Sequence, residues 1–92
     1  MPLLTDDDIA RRLDELRDWK REGDEIKRGF KFDDFQGSVD FVNRIAPPSE
    51  EMNHHPDITI SWNKVELTLT THSEGGLTEN DFELATRIDA LA

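Results

Sequence analysis

Asp57-Ile58-Thr59-Ile60-Ser61-Trp62-Asn63-Lys64-Val65-Glu66-Leu67-Thr68-Leu69-Thr70 alternates on both sides of a polar break. Ile58, Ile60 and Trp62 share one parity, while Val65, Leu67 and Leu69 alternate with Glu66, Thr68 and Thr70. Successive side chains on a strand point to opposite faces, so each half reads as a strand with one apolar face. The spacing predicts a hairpin turning at Asn63-Lys64, with asparagine suited to the positive φ of a primed turn. Everything else in the chain can be placed around that hairpin.

Upstream, Ile26, Phe30 and Phe32 share one parity and Lys27 and Lys31 the other. This is a second half-buried strand, over Glu25–Phe32. Trp19, on a short strand before the turn residues Gly23-Asp24, would complete another hairpin. Helical patterns flank and separate the two hairpins. Leu4-Thr5-Asp6-Asp7-Asp8-Ile9 starts a first helix. Thr5 can cap it, the aspartates complement its positive end, and Leu4 can staple onto Ile9. Its apolar face is Ile9, Leu13 and Leu16, and it is expected to run to about Leu16 or Arg17.

Asp33 or Asp34 caps a second helix with the stripe Phe35, Val39, Val42 and Ile45. Pro47-Pro48 is expected to end it, because proline lacks the N–H and restricts its predecessor. Ser49 to Asn53 would then form a separate short turn. Past the hairpin, His72 falls at the strand end and Gly75-Gly76 breaks the strand. Thr78 caps a last helix, Asp81 is the acidic partner three residues on, and Leu77 can staple to Phe82. Leu84, Ala85, Ile88 and Leu91 carry its apolar face. The order α-β-β-α-β-β-α predicts an α+β fold, a four-stranded antiparallel sheet with helices on one face. A chain of 92 residues is expected to form a single domain over 1–92.

Composition excludes several function classes. There is no cysteine, so no disulfide framework, thiolate nucleophile or thiolate metal site is available. With 11 Lys+Arg against 21 Asp+Glu the net charge is −10, which would repel a phosphate backbone. Nucleic-acid binding is therefore not expected. No stretch is apolar enough to span a membrane and no signal-peptide pattern opens the chain, so a cytoplasmic location is expected. The acidity itself fits either a high-salt cytoplasm or a need for solubility.

The chemistry gathers in one place. All three histidines, His54, His55 and His72, lie between positions 54 and 72, and Glu50 precedes the pair by one helical turn. Imidazole gives and takes protons near neutrality, at an ordinary pKa of about 6.5. Pro56 pushes His55 toward an extended conformation, so the adjacent histidines diverge. A pocket bounded by His54, His72 and a carboxylate would hold a donor, an acceptor and an orienting group, enough for cofactor-free proton transfer. Two histidines and a carboxylate could also ligate a metal, but no His-x-x-x-His spacing supports it. A His-His-Pro loop can equally be structural.

The frame Glu50-x-x-x-His54-His55-Pro56, then Trp62, His72 and Asp81, resembles the signature of the pterin-4a-carbinolamine dehydratases. The resemblance extends through Asn63-Lys64-Val65, Thr70-Thr71-His72 and Gly76-Leu77-Thr78-Glu79-x-Asp81. Upstream it includes Trp19, Phe30-x-Phe32-x-Asp34-Phe35 and Phe41-Val42-x-Arg44-Ile45-Ala46, and so covers nearly the whole chain. It implies three helices on one face of a four-stranded antiparallel sheet, and a homodimer or homotetramer. It also implies dehydration of 4a-hydroxytetrahydrobiopterin to quinonoid dihydrobiopterin, which recycles the pterin cofactor of aromatic amino-acid hydroxylases.

By that resemblance His54 and His72 transfer protons and His55 contacts the pterin or supports the site. Glu50 orients the pocket, Trp19 lines it, and Asp81 is a further site acid whose alternative role is to complete the Thr78 cap. Trp62 is expected to pack. The pterin is substrate, and neither metal nor cofactor is implied. Asn53 departs from the acidic residue that family members often carry there. The second role of mammalian relatives, as dimerisation cofactors of a homeodomain transcription factor, finds no support in this sequence. Two alternatives keep the fold: a non-catalytic dimeric interaction module, and an enzyme for another pterin, as in molybdenum-cofactor metabolism.

Overall fold

In a computed structural model describing residues 2–92, the chain forms α1 (Asp6–Asp14), β1 (Lys20–Glu22), β2 (Glu25–Lys31), α2 (Phe35–Met52), β3 (Asp57–Ser61), β4 (Lys64–Leu69) and α3 (Glu79–Leu91). A short 3-10 turn, His72–Glu74, lies between β4 and α3. The strands form one antiparallel sheet in the order β1-β2-β4-β3. This is the α+β architecture and element order expected from the sequence.

The register sorts the two faces. Ile26 lies opposite Leu69 and Phe30 opposite Val65, all four buried on the helix-covered side with Leu67. Lys27, Gly29 and Lys31 face Thr68, Glu66 and Lys64 on the open side. Phe41 and Ile45 of α2 and Phe82, Leu84, Ala85 and Ile88 of α3 complete the core with Ile9 of α1. Each large apolar side chain so buried contributes roughly 1.5–3 kcal/mol. Phe41 sits at the centre, its ring 4.7 Å from Phe30 and 5.1 Å from Phe32.

The helix starts follow the sequence. Thr5 accepts from Asp8 N, Asp34 from Gly37 N, and Thr78 and Asp81 form a capping box. The hydrogen bond with Thr5, then the neighbouring Arg11, holds the Asp8 carboxyl below its usual 3.8. Arg12 of α1 pairs with Glu79 at the start of α3.

Elsewhere the structure corrects the expectation. α1 ends at Asp14, short of Leu16, and β1 begins one residue after Trp19. The buried stripe of α2 is Ser38, Phe41, Ile45 and Ser49, while Phe35 is exposed. The centre of that stripe is therefore Phe41. Pro47-Pro48 does not end α2, which runs on to Met52 and absorbs the separate turn expected at Ser49–Asn53. A proline's φ fits a helix; its cost is the missing N–H and crowding of the carbonyl four residues back. Here those carbonyls belong to Asn43 and Arg44, exposed residues that water can reach. Ile45, Ser49 and Met52 keep the apolar face continuous, and Ser49 Oγ donates to Ile45 O at 2.8 Å. Pro47→Ala, at an exposed position, restores one donor and is expected to add about 1 kcal/mol. A thermal melt should show it as a rise of roughly 4–8 °C.

The hairpin turn is displaced by one residue. Ser61 pairs with Lys64, so the turn residues are Trp62 and Asn63, and Trp62 takes the positive φ of 51°. Asn63 is unavailable for that role because it is buried and committed to the neighbouring strand. Its Nδ2 donates to Phe32 O at 3.1 Å, and its carbonyl accepts from Phe32 N at 2.7 Å. Trp62, expected to pack, is instead 67% exposed. β3 is an edge strand whose residues are all exposed, Ile58 and Ile60 included.

Candidate active site

The end of α2 delivers the histidine pair. Asn53 adopts the left-handed conformation (φ 49°, ψ 44°), which asparagine tolerates better than most residues. Asn53 N then reaches Glu50 O at 3.1 Å and His54 N reaches Ser49 O at 3.0 Å. These two bonds are those of a Schellman motif, and they reverse the chain at a fixed angle. Pro56 follows before β3. The reversal turns His54 inward and leaves His55 outside.

His54 Nε2 lies 2.6 Å from Asp81 Oδ1. The His54 side chain is 11% exposed and that of Asp81 fully buried. Asp81 sits in the first turn of α3, where its Oδ2 accepts from Thr78 N at 2.9 Å, closing the cap. The same oxygen accepts from Thr71 Oγ1 at 2.8 Å, and Thr71 Oγ1 lies 2.8 Å from Thr78 Oγ1. Every buried polar group of this cluster has a partner, as burial demands. Asp81 therefore completes the cap and holds a histidine at once. A carboxylate bound to an imidazole in this way orients the ring and supports it while it exchanges protons.

The other expected residues are placed differently. His55 Nε2 meets Glu50 Oε1 at 3.0 Å in an exposed pair, the kind that contributes about 0–1 kcal/mol. Were the helix to run through His54, Glu50 would share a face with it; the left-handed Asn53 ends the helical spacing first, and the carboxylate's partner is His55. His72 opens the 3-10 turn and lines a hollow of about 390 Å³ with Glu22, Asp24, Glu25, Thr70 and Gly75. His54 is not among the residues lining that hollow.

Trp19 is 5% exposed, leaving little of its ring for a ligand, and its Nε1 donates to Asp89 Oδ1 at 2.8 Å. That oxygen also accepts from Arg28 Nη1 at 2.7 Å. Among the described residues, no group of three or more histidine or carboxylate side chains is disposed to hold a metal ion. No helix is long and apolar enough to cross a membrane. The sequence placed Thr71 in the run Thr70-Thr71-His72 but gave it no role. Its one visible signal was its place beside His72, because the contact that matters reaches across ten positions to Asp81.

Comparison with known proteins bears on the chain as a whole. The sequence profile described as pterin 4 alpha carbinolamine dehydratase matches residues 2–91. A protein of Sulfolobus acidocaldarius, provisionally named a pterin-4-alpha-carbinolamine dehydratase, is 49% identical over 88 residues, covering 96% of this chain and 97% of its own. The crystal structure of a transcriptional coactivator/pterin dehydratase from Brucella melitensis superposes with a TM-score of 0.94 at 36% identity, over 98% of each chain. A pterin dehydratase-like protein described as a RuBisCO assembly factor in the alpha-carboxysome superposes at 0.71 with 29% identity, over 83% of this chain and 90% of its own.

Proposed function

Because the chain belongs to the pterin 4 alpha carbinolamine dehydratase family, we propose that it dehydrates 4a-hydroxytetrahydrobiopterin to quinonoid dihydrobiopterin and water by histidine acid–base catalysis. The observation that carries this reading is the buried pair between His54 and Asp81, 2.6 Å apart, on the family's own frame. In the reaction the C4a–O bond breaks and the hydroxyl leaves as water, with a proton from a general acid. A general base takes the proton on N5, and the C4a–N5 double bond forms. Correctly placed acid and base groups are each worth roughly 10²–10⁴ in rate.

His54 and His72 are assigned the two transfers, and His55 with Glu50 the support of the ring. The reading includes a cytoplasmic homodimer or homotetramer that serves an aromatic amino-acid hydroxylase. It is tested by the dehydration rate of 4a-hydroxytetrahydropterin generated in situ, with and without a chelator. The expected result is a rate well above buffer that the chelator leaves unchanged.

A second reading, a non-catalytic interaction module of the same fold, draws on one specific observation. The edge strand exposes Ile58 and Ile60, and the turn after it Trp62, at 40%, 37% and 67%. Exposed apolar surface of this kind marks binding sites, and one structural relative is described as an assembly factor. A wild-type rate no better than buffer would decide for this reading.

A further inference from the structure

We propose that Thr71 is a positioning residue: it directs the Asp81 carboxylate so that His54 carries its proton on Nε2, leaving Nδ1 to exchange protons with the substrate. The assignment of the substrate rests on the dehydratase reading; the direction of the hydrogen bonds does not. Thr71 Oγ1 has a single proton and two neighbours, Thr78 Oγ1 and Asp81 Oδ2, each at 2.8 Å. The carboxylate oxygen accepts, so Thr71 donates to Asp81 and must accept from Thr78. Thr78 Oγ1 in turn accepts from Asn80 N at 3.3 Å. The donors thus run one way: Asn80 to Thr78, Thr78 to Thr71, Thr71 to Asp81.

That chain, with the Thr78 backbone N–H, fills Oδ2 and leaves Oδ1 facing His54. A neutral imidazole has one N–H, and opposite an acceptor that proton sits on Nε2. Nδ1 is then a bare lone pair, and it has no protein partner among the described residues. Thr71 also acts through its backbone. Its N–H donates to Gly76 O at 2.9 Å, and its carbonyl accepts from Glu74 N and Gly75 N at 3.0 Å. These bonds build the turn that carries His72. One buried threonine therefore sets the tautomer of one histidine and the backbone of the other.

The test is histidine 15N NMR of the full chain, at a pH where imidazole is neutral, with wild type, Thr71→Val and Thr71→Ser. The expected wild-type spectrum shows His54 protonated on Nε2. Thr71→Val, which keeps the shape and drops the hydroxyl, is expected to mix the two tautomers and lower kcat between about 10- and 100-fold with little change in KM. Thr71→Ser should restore both. Nδ1 protonation in the wild type, or a Thr71→Val spectrum identical to wild type, would overturn the proposal. Should Thr71→Val not fold, Thr71→Ala takes its place, and a spectrum identical to wild type overturns the proposal in the same way. A wild type that does not dehydrate overturns the substrate assignment, and the spectra still settle the positioning.

Discussion

Asp81→Ala is expected to cost about 3–5 kcal/mol of folding free energy, the loss typical of breaking a buried charged pair. The carboxylate is fully buried and receives three bonds, from His54, Thr71 and the Thr78 backbone. Truncation takes the acceptor from the nearly buried His54 ring and from the buried Thr78 N–H, at roughly 1–3 kcal/mol apiece before relaxation, and leaves Thr71 only its contact with Thr78 Oγ1. The lost Thr78 bond is the one by which Asp81 closes the capping box of α3, itself worth about 1 kcal/mol. Folding stabilities of about 5–15 kcal/mol leave little margin for such a loss.

Asp81→Asn keeps the volume and one acceptor, but its amide must turn a donor toward either His54 or Thr71, so an intermediate loss is expected. Urea denaturation checks both variants, with the midpoint falling and the slope unchanged. An Asp81→Ala loss under about 1 kcal/mol would mean that the network does not bear on stability, in conflict with its burial.

Local rules made part of this arrangement legible beforehand. Thr5, Asp34 and Thr78 each announce a helix start, because their side chains satisfy amide groups only a few residues on. The parity of Ile26 and Phe30 against Lys27 and Lys31 sets which face of β2 is buried. The misses share a different cause. Proline's local preference at Pro47-Pro48 is overridden by the buried stripe that Ile45 and Ser49 continue. The turn shifts to Trp62 because Asn63 is claimed by Phe32, which lies 31 positions away.

The candidate site divides along the same line. The histidine pair, Glu50 and Asp81 stand out by residue type and spacing, and the family frame points to all of them. The contact between His54 and Asp81 spans 27 positions, and only the packing of the α2 end against α3 creates it. A left-handed Asn53 was within reach of sequence rules, but with the helix expected to end at the prolines there was no reason to seek a terminus there.

His72→Ala and His54→Ala are expected to lower kcat by about 10²–10⁴ each, yet to differ sharply in stability. His72 is exposed and outside the buried hydrogen-bond cluster, so its loss should leave folding within about 0.5 kcal/mol of wild type. His54 donates to a buried carboxylate, so its removal leaves that charge short of a partner and should cost roughly 1–3 kcal/mol. Rates measured well below each melting transition separate chemistry from unfolding. A folded His72→Ala protein with a wild-type rate would remove His72 from the chemistry and leave His54 with Asp81 to carry it. A folded His72→Ala protein with the rate lost would place an exposed imidazole in the reaction. No structural role predicts that result, because nothing in the core leans on His72.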